Sequence, residues 1–329
     1  MTLGYTIGIN VGNGYTKAQA QTSQSLIPSY FKQISDDDIN KYEAFDDGAI
    51  ISIVESSTRP ELNNSTWLVG DTAKHYYPDS YGKVVDTLQG KLDYGLQMVL
   101  GAIARLEIDS DANINLLISI HDSQIFGKEL KKKLDGLYRV KLNNSYRAYE
   151  IRILSRVIEE GIGAIASQIS PNGSIGLIDL GHGTSIVSVF RKGKLLDGSR
   201  KVINVGVHNL IEKIANHPKT REKLHKQGNE YLIRLGLKNN FAYGTTGWEF
   251  SSIYALVLKD WISSCLAPSF KHLQPRIDEL DGIYLTGGGA LLPNINQIAS
   301  KHSIITIQNA QMAEAIGLQK LASRVFVGV

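Results

Sequence analysis

Apolar and polar residues alternate from Gly4 to Val11, run into Gly12-Asn13-Gly14, and alternate again from Tyr15 to Ala20. Period-two patterning on both sides of a short glycine turn predicts a β-hairpin. A second apolar stretch, Ser174 to Leu180, enters Gly181-His182-Gly183 and returns through Thr184 to Phe190. Ile9-Asn10-Val11-Gly12-Asn13-Gly14 aligns with Ile178-Asp179-Leu180-Gly181-His182-Gly183, so that Ile9 and Ile178, Gly12 and Gly181, and Gly14 and Gly183 each stand 169 positions apart. A repeat at about half the chain length predicts two copies of one domain facing each other.

Between the hairpins the pattern alternates strands with helices. Leu92, Leu96, Val99, Leu100 and Ile103 share one helical face and predict an amphipathic helix over Lys91 to Leu106. Asn113 to Ile120 predicts a strand, Phe126 to Leu137 a helix, Ile151 to Ile158 a strand and Glu159 to Ile169 a helix. The second half adds a hairpin over 175–197, helices near 206–216 and 247–265, a strand Gly282 to Leu285 and a final helix near 311–324, with 218–246 read as loops and short pieces. The alternation argues for the α/β class.

The chain has 329 residues, which at roughly 100 to 200 residues per domain favours two domains. Hydrophobic residues make up 43% of it, enough for sizeable cores. With 35 Lys and Arg against 32 Asp and Glu, the net charge of +3 is too small to make nucleic acid an evident direct partner. The single cysteine, Cys265, excludes an internal disulfide framework and a Cys-cluster zinc site. It is expected as a buried, inert thiol on a helix. No signal-type segment opens the chain and no run reaches the roughly 18 apolar residues of a membrane span. A cytoplasmic protein without membrane partners is the expectation.

Three glycine turns are the candidate chemistry: Gly12 to Thr16 followed by Lys17, Gly181 to Ser185, and Gly287-Gly288-Gly289 after the strand Ile283-Tyr284-Leu285. Glycine lets backbone N–H groups approach a phosphate with no Cβ in the way. Each turn alone is also an ordinary hairpin or loop. No Gly-x-x-x-x-Gly-Lys-[Ser/Thr] is present, which excludes a P-loop, and no complete βαβ unit carries a dinucleotide fingerprint. There is no His-Glu-x-x-His and no Gly-x-Ser-x-Gly elbow. The basic runs Lys128 to Lys133 and Lys219 to Lys226 read as solvated surface.

In combination the turns resemble a known superfamily. Ile7 to Lys17 is similar to the first phosphate motif of the actin/Hsp70/sugar-kinase superfamily, Ile178 to Thr184 to its second phosphate motif, and Tyr284 to Ala290 to its adenosine motif. Ile27-Pro28-Ser29, Trp67 to Ala73, Ile158 to Ala164 and Ala313-Glu314-Ala315-Ile316-Gly317 resemble segments of ParM/StbA-type actin-like plasmid segregation proteins. The likeness runs from near Gly4 to Leu321. It implies an actin-like ATPase fold of two RNase H-like domains with a nucleotide cleft between them: residues 1–164 as domain I, the C-terminal helix 317–329 packing back onto it, and 165–316 as domain II.

The resemblance also implies site roles. Asn10, Gly12, Asn13, Gly14, Tyr15, Thr16, Lys17, Gly181, His182, Gly183, Thr184, Gly287, Gly288 and Gly289 would bind ATP, with GTP as the alternative nucleotide. Lys17 would place positive charge near the β- and γ-phosphates. Asp179 would hold Mg²⁺ through water, and Glu160 would orient the attacking water, with Glu159 as its rival. One departure stands out: the family has Asp where this chain has Asn10. An amide can still accept from a Mg²⁺-bound water, but it gives up a full charge, so weaker metal binding or slower hydrolysis is expected. The implied function is an ATPase that self-associates into filaments and moves plasmid DNA through a DNA-binding adaptor. A sugar-type kinase, or a non-polymerising actin-like assembly module, is the alternative.

Overall fold

The alternation at the start of the chain becomes β1 (Leu3–Val11). Ile7, Ile9 and Val11 enter a hydrophobic core on one face, which by strand alternation leaves Thr6, Gly8 and Asn10 on the other. The computed structural model describes residues 3–87, 89–168 and 172–327. Two compact units form, Met1–Ser170 together with Met312–Val329, and Pro171–Gln311.

In the first unit β1 is followed by β2 (Tyr15–Gln19), β3 (Gln24–Pro28), β4 (Tyr30–Ile34), β5 (Gly48–Ser56), β6 (Ser65–Gly70), β7 (Gly82–Lys83), β8 (Asp111–Ile120), β9 (Gly136–Leu142), β10 (Ser145–Ile153) and β11 (Ile158–Glu159). Among the described residues these make one mixed sheet in the order β3-β2-β1-β8-β10-β9-β5-β6-β4-β7, with β11 joined to β8. β1 and β2 pair antiparallel, with Asn10 opposite Lys17. β8 runs parallel to β1, with Asn10 opposite Ser119. Asn10, Lys17 and Ser119 therefore lie side by side across three strands.

Both faces of the β1–β8 region are covered. On one lies the helix Gly95–Ile103; on the other, the last helix, Ala313–Val327, seats Leu318 and Ala322 against Leu117 of β8. That second contact is very close. A Cβ on Gly8 would run into the Ala315 carbonyl, and one on Gly317 into the Gly163 carbonyl. Glycine at these positions lets helix backbone rest on strand and helix backbone.

Several expected elements are corrected. The amphipathic helix over Lys91–Leu106 is two helices, Gly90–Asp93 and Gly95–Ile103, and every residue of the second is buried. It has no solvent face because Gly101 lets it press onto Val69 of β6 and Ile27 of β3. The helix expected over Phe126–Leu137 runs Ser123–Leu134, its start capped where Asp122 Oδ1 accepts the Ile125 N–H. The strand expected at Ile151–Ile158 is the end of β10 and, separately, β11. β10 forms a hairpin with β9 through Asn143-Asn144, both at positive φ, a turn signal with no glycine in it. The helix expected over Glu159–Ile169 is described as Ile162–Gln168; Ile169 lies outside the described residues. The final helix starts at Ala313 and is described to Val327; Gly328 and Val329, to which the C-terminal helix is expected to run, lie outside the described residues.

The second unit holds β12 (Ser174–Leu180), β13 (Ser185–Arg191), β14 (Lys194–Leu195), β15 (Lys201–Ile203), β16 (Gly282–Thr286) and β17 (Ile304–Thr306). Its sheet has the order β14-β13-β12-β16-β17, with β15 on β13. The helices Val207–Asn216 and Ser251–Leu273 pack with it around Phe250, Trp261 and Cys265. Burial pushes the Cys265 thiol up to about 12, so it stays protonated and inert near neutral pH. Residues 218–246 are not mainly loops. They carry helices Pro218–Leu224 and Glu230–Lys238, the second capped by Asn229. Among the described residues no helix is long and apolar enough to cross a membrane.

Because the Gly317 contact joins two backbones, a methyl group there cannot be absorbed by a side-chain rotation. Gly317→Ala is expected to destabilise the first unit by about 2 kcal/mol or more, read as a lower urea midpoint. An unchanged midpoint would show that the last helix is not held by this contact.

Candidate functional site

In the first unit the β1–β2 turn is closed by the Gly12 N–H donating to the Tyr15 carbonyl at 3.1 Å. A Cβ on Gly12 would stand 2.8 Å from that same oxygen, so close approach, and not left-handed φ, requires the glycine. Ser29, fully buried, braces the turn. Its hydroxyl donates to the Gly12 carbonyl at 2.6 Å, its N–H to the Gly14 carbonyl at 3.1 Å, and its Oγ lies 3.1 Å from Thr16 Oγ1. The Thr16 side chain is accordingly buried and turned to Ser29, whereas Asn13, Tyr15 and Lys17 are half-buried.

Beside this turn lies a polar cluster assembled from five segments, three strands and the stretches that carry Lys91 and Glu160. Lys17 Nζ donates to Asn10 Oδ1 at 3.4 Å, and Asn10 Nδ2 donates to Ser119 Oγ at 3.4 Å and to Glu160 Oε1 at 3.3 Å. Lys91 Nζ reaches the same Glu160 oxygen at 2.6 Å. A side-chain amide, though uncharged, can accept from an ammonium with its oxygen and donate to a carboxylate with its nitrogen at the same time.

The adjacent carboxylates Glu159 and Glu160 divide their tasks. Glu159 Oε2 accepts the Ser123 N–H at 3.0 Å, at the start of the helix Ser123–Leu134. Glu160 turns instead to Asn10 and Lys91. The short helix Ile162–Gln168 that follows is capped from a distance: Glu314 Oε2 accepts from Gly161 N at 3.1 Å and Ala164 N at 2.8 Å. The resemblance segments Ile158–Ala164 and Ala313–Gly317 are thus contact partners.

The second unit repeats the turn in detail. Gly181 N–H donates to the Thr184 carbonyl at 2.9 Å, and a Cβ on Gly181 would stand 2.8 Å from it. Asp179 pairs with Ile186 across β12–β13, the position equivalent to Asn10 opposite Lys17. The hairpin's carbonyls are taken up by the start of the helix Val207–Asn216, where Val207 N donates to Gly181 O at 3.1 Å and His208 N to His182 O at 2.8 Å. The His182 and His208 rings stand 5.6 Å apart.

The triple glycine meets this turn. Gly287, at φ +87°, donates its N–H to the Ala310 carbonyl at 3.1 Å, and a Cβ on it would run into Asp179 Oδ1. Gly289 is also closely packed, since a Cβ on it would stand 2.7 Å from Leu180 Cβ. Gly288 has room: its nearest neighbour would be Gln311 Nε2 at 3.8 Å. Among the described residues no three His, Cys, Asp or Glu side chains come together as metal ligands.

Lys91, Ser119, Ser29 and Glu314 were not legible as site residues. Lys91 stands 69 positions from Glu160, and nothing near it in sequence marks it as polar site rather than helix surface. Ser29 and Glu314 lie inside segments whose resemblance is visible, although their bonding is not.

No protein-family model matches the sequence, and neither does any curated protein. Solved structures do match. An archaeal actin homologue superposes with a TM-score of 0.73 at 16% identity, covering 97% of this chain and 99% of that one. Bacillus thuringiensis ParM with ATP gives 0.69 at 14% identity, covering 99% of both chains, and the Alp12 filament structure gives 0.67 at 16% identity, covering 99% of this chain and 100% of that one. With the mixed α/β units above, these likenesses define the class: the chain has the actin-like ATPase fold. Within it, the fold is that of the ParM type.

Gly287 and Gly288 differ in what surrounds them, and this separates their roles. Gly287→Ala is expected to displace the Asp179 carboxylate and cost about 2 kcal/mol or more, whereas Gly288→Ala leaves the melting temperature within a few degrees. Equal effects of the two substitutions on thermal melting would contradict this assignment.

Proposed function

We propose that this protein is a nucleotide-dependent, filament-forming actin-like ATPase that works in the cytoplasm. The observation that carries the reading is the duplicated turn: Gly12 to Tyr15 and Gly181 to Thr184 make the same backbone bond, next to Asn10 and Asp179 at equivalent register. Backbone turns of this kind, stripped of Cβ atoms, suit a polyphosphate. The ATP in the ParM structure and the assembly in the Alp12 structure support the reading by likeness of fold.

In this reading Asn13, Gly14, Tyr15, His182, Gly183 and Thr184 present backbone N–H groups to the phosphates, Gly12 and Gly181 serve the nucleotide by closing the turns with their own N–H groups, and Lys17 adds a positive charge. Thr16 contributes by holding Ser29, since its side chain is buried. Gly287 to Gly289 shape the nucleoside side of the site. Glu160 orients the water that attacks the γ-phosphate, which is chemically sufficient for a reaction governed by positioning and charge neutralisation. Asp179 would hold magnesium through its water shell, as a carboxylate suits a hard cation that dehydrates reluctantly, and Asn10 would be a weaker, neutral acceptor for such a water. Bound magnesium would draw negative charge off the transferring phosphoryl group.

Head-to-tail contacts that do not close into a ring give open filaments. We assign the filament's cargo as plasmid DNA held through a DNA-binding adaptor, consistent with the net charge of +3.

Negative-stain electron microscopy of micromolar protein with ATP, GTP or neither tests the reading: filaments are expected with a nucleoside triphosphate only. Phosphate release should accompany assembly and fall on the order of 100-fold in Glu160→Gln. Asn10→Asp should raise the release rate, because it returns a carboxylate to the first turn. A protein that stays dispersed and releases phosphate only with an added sugar acceptor would be a kinase instead.

A further inference from the structure

We infer that Lys91 is the positioning residue of Glu160, fixing the direction of the carboxylate that orients the attacking water; this rests on the role given to Glu160 above. Asn10 and Lys91 both donate to Glu160 Oε1, and they are unequal. The Asn10 amide is a neutral donor at 3.3 Å, whereas the Lys91 ammonium is a charged donor at 2.6 Å. Charge-assisted bonds of that length are roughly twice as strong as neutral ones. Lys91 therefore dominates the orientation of the carboxylate.

The pair is also enclosed. The Lys91 and Glu160 side chains are 11% and 12% exposed. Burying an ion pair is a poor route to stability, since two apolar side chains of similar volume serve as well or better. What the pair supplies and an apolar pair cannot is a carboxylate held in one direction. The base under Lys91 is built to hold it still. The turn Gly90–Asp93 is closed by Gly90 N to Thr87 O at 3.2 Å and Leu92 N to Gln89 O at 2.7 Å. The Arg59 guanidinium donates to the Leu92 and Asp93 carbonyls at 3.5 and 3.3 Å, and the Leu92 side chain is buried. Gly90 is needed because a Cβ there would run into the Val84 carbonyl.

The chain of contacts then reads Lys17 to Asn10, Asn10 to Glu160, and Lys91 to Glu160. Asn10 links the group assigned to the phosphates with the group assigned to water, and Lys91 anchors the far end.

Steady-state phosphate release by the full chain, with ATP and magnesium, tests this. Lys91→Met is expected to lower kcat about tenfold or more with KM within about twofold, and Lys91→Arg to recover part of the loss. In a Glu160→Gln background Lys91→Met should change kcat by less than about twofold, because Lys91 acts through that carboxylate. Equal kcat in wild type and Lys91→Met, or losses that multiply independently in the double variant, overturns the inference. If Lys91→Met does not fold, Lys91→Arg decides: a lowered kcat at unchanged KM supports the role, and a wild-type kcat rejects it. A loss in Glu160→Gln without one in the Lys91 variants removes Lys91 alone. A wild-type rate in Glu160→Gln removes the role of Glu160 as well.

Discussion

One backbone hydrogen bond, made twice, governs the architecture of the candidate site. Gly12 and Gly181 each donate to a carbonyl three residues on, and in both places a Cβ would crowd that carbonyl at 2.8 Å. The bond turns the chain sharply enough that the returning strand pairs in register with the first. Strand alternation then places Asn10 and Asp179 at equivalent positions beside their turns. A longer or looser turn would shift the pairing by a residue and send these side chains to the opposite face. The hydrophobic partners that hold the register are Ile7, Ile9 and Val11 in one unit and Ile178 and Leu180 in the other.

Around the first turn the polar groups interlock because each is limited in what it can do. Ser29 is buried, so its hydroxyl must find an acceptor, and the Gly12 carbonyl supplies it. Glu160 is nearly buried, so its charge must be matched, and the ammonium of Lys91 does so. Asn10 stands between two charged groups of opposite sign and satisfies both as an amide. An aspartate at that position could bond Lys17 more strongly, yet it would have nothing to donate to Glu160. The site in the first unit is thus a set of mutual constraints rather than a collection of independent residues.

The second unit reaches a comparable result with different means. Ile186 stands where Lys17 stands in the first, so Asp179 has no lysine opposite it in the hairpin. Its carboxylate instead lies against the backbone of Gly287, a residue in left-handed φ at the end of β16. The helix Val207–Asn216 points its first N–H groups at the carbonyls of Gly181 and His182, which fixes the turn without a counterpart of Ser29. The two turns share one backbone solution and differ in the side chains that support it.

Much of the fold was legible in the chain itself. The two hairpins, the strand before the triple glycine, the long helix around Trp261 and the final helix all follow from apolar periodicity and turn residues, which are local properties. The helix Gly95–Ile103 was misjudged because its sequence shows an amphipathic stripe, while its far side is buried by β3 and β6 from distant segments. The helices within 218–246 were hidden by polar composition, and the β9–β10 hairpin by a turn of two asparagines. The sequence by itself settled which residues turn the chain and which faces of β1 and β12 are apolar, since sterics and solvation act residue by residue. The tertiary structure alone decided that Lys91 meets Glu160, that Glu314 caps the helix Ile162–Gln168, and that Gly287 touches Asp179. Those contacts join residues dozens of positions or more apart, and their free energy exists only once the segments are folded together.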